Sequence, residues 1–112
     1  MKTFIVIYHA PADLMRQNEV ASPEEMKKGM EPWMVWAEKC GEQLLDMGNP
    51  LMGGIKLNQD GSSVPSDKDV VGYSILKAES MDEAKSLMDE HPHLKWAEGC
   101  EIEVHEAMPL PA

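Results

Sequence analysis

Two histidines separated by one proline are the sharpest candidate for chemistry in this sequence of 112 residues. The tripeptide His91-Pro92-His93 follows a stretch with a helical pattern, and the proline restricts the backbone there. We expect the pair at the C-terminal end of that helix, where the negative end of the dipole favours a protonated ring. An imidazole with a pKa near neutrality can take up and return a proton. The sequence therefore predicts His91 and His93 as catalytic residues acting on a small substrate in a cleft beside the first helix.

A purely structural role for the same tripeptide stays open. In that interpretation His91 caps the last carbonyl groups of the helix and His93 is solvated. A metal site is not predicted, because His-x-His followed by His105 lacks a recognised spacing of three ligands. His9 and His105 stand near the ends of the first and last strands, which we expect at opposite edges of the sheet. We accordingly expect neither a metal nor another cofactor.

Four further residues are candidates for contact with a ligand. Trp36 and Tyr73 could line a pocket for a flat apolar molecule, as aromatic rings often do, although such rings more often belong to a core. Trp33 falls on the apolar stripe of the first helix and is predicted to pack, whereas Trp36 lies at the margin of that stripe and is assigned to the cleft. Ser74 is a possible polar contact rather than a nucleophile, since no base and orienting group accompany it. His9 completes the predicted ligand-binding set.

Charge and composition exclude several classes of partner. Acidic residues outnumber basic ones by 20 to 10, and the formal net charge of −10 would repel nucleic acid and anionic membranes. The apolar start of the chain is far shorter than the roughly 20 residues of a membrane span. The two cysteines, Cys40 and Cys100, form no zinc or redox motif. We expect a cytoplasmic protein with a single domain over residues 1–112 and a proline-rich tail at 106–112.

The positions of these residues depend on six predicted elements. Residues 4–8 form a strand that is apolar on both faces, and residues 10–21 form a loop. A capping box at Ser22-Pro23-Glu24-Glu25 starts the first helix, which Pro32 kinks or divides and which Gly48 closes. Its apolar stripe is spaced at three and four residues: Met26, Met30, Trp33, Ala37, Cys40 and Leu44.

The second half of the chain repeats this order. Residues 50–57 are predicted as the second strand, 58–68 as a polar turn region and 69–77 as the third strand. Val71, Tyr73 and Ile75 lie on one face of that third strand. A second capping box, Ser80-Met81-Asp82-Glu83, starts a helix that ends at His91 before Pro92. Residues 101–105 form the last strand.

The order is β-α-β-β-α-β, which predicts an α+β fold of the ferredoxin-like type. Right-handed crossovers then give a four-stranded antiparallel sheet with both helices on one face. The two central strands, at 4–8 and 70–76, carry apolar residues on both sides, so a lone protomer would expose a hydrophobic face. Two sheets packed face to face would cover it through one self-complementary interface. We therefore expect a homodimer.

The chain resembles the YCII-related family along almost its whole length. The resemblance depends on these segments: Phe4-Ile5-Val6-Ile7-Tyr8, the helix with Trp33 and Trp36, Gly72-Tyr73-Ser74-Ile75-Leu76, Ser80-Met81-Asp82-Glu83-Ala84 and Glu101-Ile102-Glu103-Val104-His105-Glu106. His91-Pro92-His93-Leu94 and the ending Val104-His105-Glu106-Ala107-Met108-Pro109 are typical of an uncharacterised branch. That branch is similar to, but distinct from, the one carrying an Asp-Gly-Pro-Phe motif, because Ser66-Asp67-Lys68-Asp69 stands at the corresponding place here.

This resemblance implies a dimeric α/β barrel that binds a small organic molecule. Relatives carry out dehydrochlorination of aromatic ring metabolites, which implies acid–base chemistry of the lyase or isomerase type. Their proposed dyad of histidine and aspartate does not transfer, since His91 occupies the position of the aspartate and Glu31-Pro32-Trp33 offers no histidine. The alternative function is a non-enzymatic module that binds a small molecule or another protein.

Overall fold

The computed structural model describes residues 1–11, 23–66 and 68–110. In chain order, its helices and strands are β1 (Lys2–His9), α1 (Pro23–Cys40), β2 (Leu44–Asp46), β3 (Ile55–Leu57), β4 (Ser63–Pro65), β5 (Val70–Ala78), α2 (Met81–Leu87), α3 (Pro92–Trp96) and β6 (Glu101–Ala107). A single 3-10 turn, Gly41–Gln43, joins α1 to β2. The predicted capping serine Ser22 and most of the predicted loop at 10–21 lie outside the described residues.

The main sheet has four strands in the order β2-β5-β1-β6. All three pairings are antiparallel, and the register of the two central strands places Ile5 opposite Ile75 and Ile7 opposite Tyr73. This order is the one expected for a ferredoxin-like fold, because two β-α-β units with right-handed crossovers interleave their strands in this way. The predicted α+β class and the antiparallel sheet are confirmed.

Strand alternation gives the sheet two different faces. Along β1 and β5 every second residue is fully buried, and these buried residues meet the helices to form the core. The core contains the following residues: Phe4, Val6, Tyr8, Trp36, Cys40, Leu76, Ala78, Ala84 and Met88. The other face, which we name the open face, carries four partly exposed apolar or aromatic residues: Ile5, Ile7, Tyr73 and Ile75.

Helix α1 contacts the core through its second half. Trp36 and Cys40 are buried, and Trp33 and Ala37 pack against them, at the spacing of one helical face. Met30, which the sequence placed on the same stripe, is 43% exposed. The helix continues through Pro32 as one element. The expectation that Gly48 closes the helix is wrong, since α1 ends at Cys40.

Helix α2 begins as its capping box predicts. The Ser80 hydroxyl accepts a hydrogen bond from the Glu83 amide at 3.2 Å, which satisfies one of the free donors of the first turn. The helix ends at Leu87 rather than at His91. Glu90 has a positive φ of 59° and turns the chain before Pro92 starts the short helix α3.

The predicted second strand is wrong in its position. The strand that pairs with β5 is β2, at Leu44–Asp46, and within residues 50–57 Pro50 forms only an isolated bridge with Gly72. The end of the predicted segment instead pairs with β4 in a separate hairpin, inside the region predicted as a turn. Gly53 and Gly54 divide the segment, because glycine weakens the interior of a strand.

Gly48 has a structural role of another kind. Its φ is 82°, and a Cβ atom built there would lie 1.7 Å from the carbonyl oxygen of Tyr73. Only glycine allows both this conformation and this approach. Gly48 thereby lets the loop after β2 lie against β5.

Candidate functional site

Five aromatic rings meet where β1 ends against α1 and α3. The His91 ring lies between two indoles, with centroids 4.5 Å from Trp33 and 4.4 Å from Trp36, both in edge-on geometry. Tyr8 lies 5.1 Å from His91 and 5.3 Å from His93. His91 is 0% exposed and His93 2% exposed, whereas Trp33 is only half-buried. We call these five residues the aromatic cluster, and Trp33 is the member through which it reaches the surface.

A row of hydrogen bonds runs through this cluster. The Tyr8 hydroxyl lies 3.3 Å from His91 Nε2 and 2.7 Å from the Ser74 hydroxyl. Ser74 donates to the carbonyl oxygen of Met47 at 2.7 Å. At the other end, the amide of His93 donates to His91 Nδ1 at 3.0 Å. The row therefore starts and ends on the main chain and includes three buried side chains, which we call the relay: His91, Tyr8 and Ser74.

The direction of the relay follows from its two ends. An N–H group donates only, so His91 Nδ1 accepts from His93 and the ring proton sits on Nε2. Nε2 then donates to Tyr8, Tyr8 donates to Ser74, and Ser74 donates to Met47. Every polar hydrogen in the row has one acceptor. The main-chain amide of His93 thus fixes the tautomer of His91.

Burial keeps the relay neutral. Loss of solvation lowers the pKa of His91 to about 3, and the neighbouring His93 lowers it further in the same direction. Burial also raises the pKa of Tyr8 well above its usual range, against the smaller opposing effect of the Ser74 hydrogen bond. The expectation of a pKa near neutrality is wrong for His91. At neutral pH the relay offers neutral donors and acceptors.

His93 is held in place by the first strand. Its Nε2 donates to the carbonyl oxygen of His9 at 2.7 Å. Burial lowers the pKa of His93, although the carbonyl groups of His9 and Glu101 oppose that shift. The expected solvation of His93 is wrong, because α3 turns the ring inward beneath Tyr8.

The position of His91 relative to the helices also differs from the expectation. His91 is the residue before α3, and its ring accepts the His93 amide as a side-chain cap. It therefore stands at the start of a helix rather than at the C-terminal end of one. The predicted capping of final carbonyl groups and the predicted protonated ring are both wrong, because the chain turns at Glu90 and begins a new helix at Pro92.

Trp36 belongs to the core but also borders a depression. Only 4% of its surface is exposed, and its indole N–H donates to the carbonyl of Leu87 at 2.8 Å. A depression of about 420 Å³ lies between α1 and the segment before α3, and Trp36 forms part of its wall. Two lysines, Lys39 and Lys95, stand at this depression. Trp36 thus separates the depression from His91.

The two remaining candidates, His9 and Tyr73, lie on the open face. His9 Nδ1 donates to Asp69 Oδ1 at 2.7 Å, and His9 Nε2 faces a carboxylate oxygen of Glu103. The other oxygen of Glu103 lies 3.0 Å from His105 Nε2, and this contact lowers the pKa of Glu103. His9 and His105 stand apart along the strands as expected, because His9 pairs with Glu101 and His105 with Ile5. Glu103 lies between them and contacts both, His9 across the strands and His105 within β6. We call Asp69, His9, Glu103 and His105 the polar row.

The candidates thus fall into two groups on opposite faces of the sheet. Ser74, His91, His93 and Trp36 meet on the core face, while His9 and Tyr73 occupy the open face. Among the described residues, no set of three histidine, cysteine, aspartate or glutamate side chains is arranged to hold a metal ion. Sequence reasoning missed Tyr8, the centre of the relay. The signal for it was available, because Tyr8 and Ser74 share the buried parity of adjacent strands.

Comparison with known proteins supports the fold. No protein-family model and no curated protein matches the chain. A solved structure that it resembles is TftG, the 5-chloro-2-hydroxyhydroquinone dehydrochlorinase from Burkholderia phenoliruptrix AC1100, in complex with 2,5-dihydroxybenzoquinone. The identity is 18% and the TM-score 0.50, over 92% of this chain and 91% of TftG. This likeness agrees with a mixed α+β domain of the ferredoxin-like type.

The structure also bears on the membrane. Among the described residues, none of the helices has both the length and the apolar character that a membrane span needs. The longest, α1, contains both acidic and basic residues.

Proposed function

We propose that the chain is a YCII-related protein that binds a small organic molecule beside the aromatic cluster, as a cytoplasmic homodimer. The relay then moves or donates a proton in chemistry of the lyase or isomerase type. The observation that carries this proposal is the relay itself, a hydrogen-bonded row of three side chains inside an otherwise apolar core. Its members are fully buried or nearly so.

Stability alone gives little reason for such a row. A paired buried polar group contributes roughly 1 kcal/mol, and an unpaired one costs about 1–3 kcal/mol. Apolar side chains of similar shape would fill the same space without that risk. Titratable groups that are buried together and shifted away from their ordinary pKa are a mark of functional sites. The relay has this property at His91 and at Tyr8.

The residues of the cluster suit distinct tasks. Tyr8 stays protonated because burial raises its pKa, so its hydroxyl can turn from Ser74 and donate its hydrogen bond to an oxyanion that develops on a ligand. His91 stays neutral and supports the Tyr8 oxygen from behind. We assign acid–base roles to His91 and His93 and ligand contacts to Trp36 and Ser74. Trp33 provides a half-buried ring on which a flat molecule can stack.

The chemical class of ligand is suggested by the structural neighbour. TftG is described in complex with 2,5-dihydroxybenzoquinone, a flat ring with oxygen substituents. Such a molecule matches a cluster that combines indole rings with a hydroxyl donor. We propose a hydroxylated aromatic or quinone-like ligand for this chain.

The open face supports a homodimer. Four apolar or aromatic residues there are only partly covered within the protomer, and a second sheet would cover them by a self-complementary contact. We propose a dimeric α/β barrel formed by two open faces. His9 and Tyr73 would then lie at or near the contact between the two copies.

Binding of 2,5-dihydroxybenzoquinone tests the proposal most directly. Calorimetric titration of the wild-type protein should give saturable binding, and quenching of tryptophan fluorescence should follow the same curve. Tyr8→Phe should weaken the affinity about tenfold, equivalent to about 1.4 kcal/mol, because the hydroxyl donor is lost while the ring remains. His105→Gln is the matched control, since this exposed histidine lies on the other face.

Two results would contradict the proposal. Absence of binding by the wild type would remove the ligand class. Equal affinity of Tyr8→Phe and wild type, with His105→Gln also unchanged, would show that the relay is not part of the binding site.

A second function is favoured by one observation. Both ring nitrogens of His91 are already occupied and the ring is 0% exposed, which also suits a histidine that only fixes the fold. The chain would then be a non-enzymatic module that binds a small molecule or a protein. Histidine titration by NMR separates the two: a His91 or His93 signal that shifts on addition of the quinone favours the enzyme, and an indifferent signal favours the module.

A further inference from the structure

The depression beside Trp36 lies between two separate segments of the chain. Its volume of about 420 Å³ is that of a pocket for a small organic molecule. One wall is a single face of α1, because its residues follow one another at the spacing of helical turns: Pro32, Val35, Trp36 and Lys39. The other wall is the segment that enters α3: Asp89, Glu90, Pro92 and Lys95.

The packing beneath the depression fixes its shape. Trp36 is 4% exposed, and the hydrogen bond from its indole N–H to the Leu87 carbonyl holds the ring in place. On the other wall, His91 is 0% exposed and its ring lies 4.4 Å from the Trp36 ring, centroid to centroid. Pro92 restricts the backbone directly after it. Both walls are thus anchored through one buried ring pair, and a ligand would meet a preformed surface.

Half of the lining is apolar. Pro32, Val35, Trp36 and Pro92 carry no charge, and the Val35 side chain is 67% exposed. An apolar ligand body placed here would remove the Val35 surface from water, which favours binding. The ligand therefore needs an apolar part.

The other half of the lining is charged, with two groups of each sign. Lys39 and Lys95 are the basic residues, and Asp89 and Glu90 are the acidic ones. All four are exposed. Within the described ranges, none of the four takes part in an ion pair. Their charges are therefore free to pair with groups of opposite sign on a ligand.

The charges favour a zwitterion over an anion or a cation. The formal net charge of the whole chain is −10, so an anion would be repelled on its approach. A lone cation would meet the two lysines. A molecule with one ammonium and one carboxylate group has no net charge, and each of its ends finds opposite charges in the lining.

The order of the charges along the second wall agrees with this choice. Asp89 and Glu90 precede Pro92, whereas Lys95 follows it by about one turn of α3. Opposite charges therefore lie at different ends of this wall. A ligand whose charged groups are separated by a short apolar body matches such an order.

We infer that the depression binds a small zwitterion with an apolar body, the chemical class to which the aromatic amino acids belong. The two lysines pair with its carboxylate, and the two acidic residues pair with its ammonium group. Trp36 separates this site from His91, so the inference does not depend on the proposed function of the relay.

An NMR titration of the full-length protein with three probes tests the ligand class. Phenylalanine should shift the Trp36 indole N–H signal and the amide signals of residues 89–91 and 93–95 along one saturable curve. Hydrocinnamate keeps the ring and the carboxylate but lacks the ammonium group, and phenethylamine lacks the carboxylate. Each should bind about threefold more weakly than phenylalanine, the size expected of one exposed charge pair.

Variants of the lysines test the assignment of the charges. The double variant Lys39→Gln/Lys95→Gln should weaken the affinity for phenylalanine about tenfold, since two exposed charge pairs are lost. It should not weaken the affinity for phenethylamine, which has no carboxylate. Lys85→Gln, an exposed lysine on α2 outside the depression, is the matched control and should leave both affinities unchanged. The amide spectrum of each variant verifies that it remains folded.

Three results would overturn the inference. The first is the absence of saturable shifts with phenylalanine, or shifts that spare residues 89–95. The second is equal affinity for the three probes, which would show that the depression selects an apolar ring without regard to charge. The third is a double lysine variant that binds phenylalanine as tightly as the wild type, or that weakens phenethylamine equally.

Discussion

The two faces of the sheet place histidine in different surroundings, and two neighbouring residues of β1, Tyr8 and His9, take part in one network each. Tyr8 points to the core and joins His91 in a sealed, neutral relay. The next residue, His9, points to the open face and joins carboxylates in the polar row. Strand alternation therefore places a buried network of neutral groups and a second network of imidazole–carboxylate contacts one residue apart. The two histidines differ in their partners rather than in residue type: neutral groups contact His91, and carboxylates contact His9.

Acid should distinguish the two networks most strongly. The pKa of His91 is about 3 in the folded protein and near 6.5 in the unfolded chain, so the unfolded state binds more protons between these values. Stability attributable to His91 is present above pH 6.5 and is lost as the pH falls towards 3, by an amount on the order of 5 kcal/mol. Urea unfolding between pH 7 and pH 4 should show this decline. His91→Gln should have a flatter profile, and equal slopes would contradict the sealed relay.

Truncation of His91 should have the next largest effect. His91→Ala leaves a cavity between Trp33 and Trp36 and removes the acceptor of the His93 amide. We expect a loss of about 3 kcal/mol in the free energy of unfolding. His105→Ala, on the exposed end of the polar row, should cost less than about 0.5 kcal/mol. Chemical denaturation of both variants measures the difference, and similar losses would show that the two faces do not differ in this way.

Removal of one hydroxyl from the relay should have an intermediate effect. Ser74→Ala removes the hydroxyl that accepts from Tyr8 and donates to the Met47 carbonyl, so each of these two buried groups loses one hydrogen bond. We expect a loss of about 2 kcal/mol at neutral pH. Thermal unfolding measures this, with Ser62→Ala at the exposed tip of the β3–β4 hairpin as the control. A stability unchanged by Ser74→Ala would mean that water replaces the hydroxyl.

The smallest expected effect lies in the polar row. The contact with His105 is the main cause of the lowered pKa of Glu103, and His9 adds to it. His105→Gln should raise the pKa of Glu103 towards its ordinary value, which carboxyl carbon shifts in an NMR titration would report. His91→Gln should leave the Glu103 titration unchanged. A response of Glu103 to His91 would reveal coupling through the sheet.

Much of the fold could be predicted from local patterns. The opening strand, the third strand with its two faces, the capping box at Ser80 and the last strand all depend on periodicity or on short-range hydrogen bonds. The second strand could not be predicted in this way. Leu44–Asp46 has only three residues and follows the helix after the short turn at Gly41–Gln43, whereas residues 50–57 have strand-like composition but only their end, Ile55–Leu57, pairs, and with β4. Which segment becomes the second strand depends on its pairing with β5, a tertiary contact that a local pattern does not contain.

Several residues of the candidate site could be predicted from the sequence, but their arrangement could not. His91, His93 and Ser74 do meet, but the burial that shifts the pKa of His91 comes from Trp33 and Trp36 of a distant helix. The tautomer of His91 depends on a main-chain amide, which no residue pattern encodes. His9 and His105 stand apart as predicted, but only the actual register shows that Glu103 between them also contacts His9.

Gly48 supports the relay although it has no functional group. The relay ends on the carbonyl oxygen of Met47. The next residue, Gly48, holds that carbonyl in place because it has no side chain and so lets the loop lie directly against β5. In a scan of all substitutions, position 48 should therefore tolerate change as poorly as the proton-handling residues themselves. A map of intolerance would mark this glycine as part of the site, although it can neither donate a proton nor touch a ligand with a side chain.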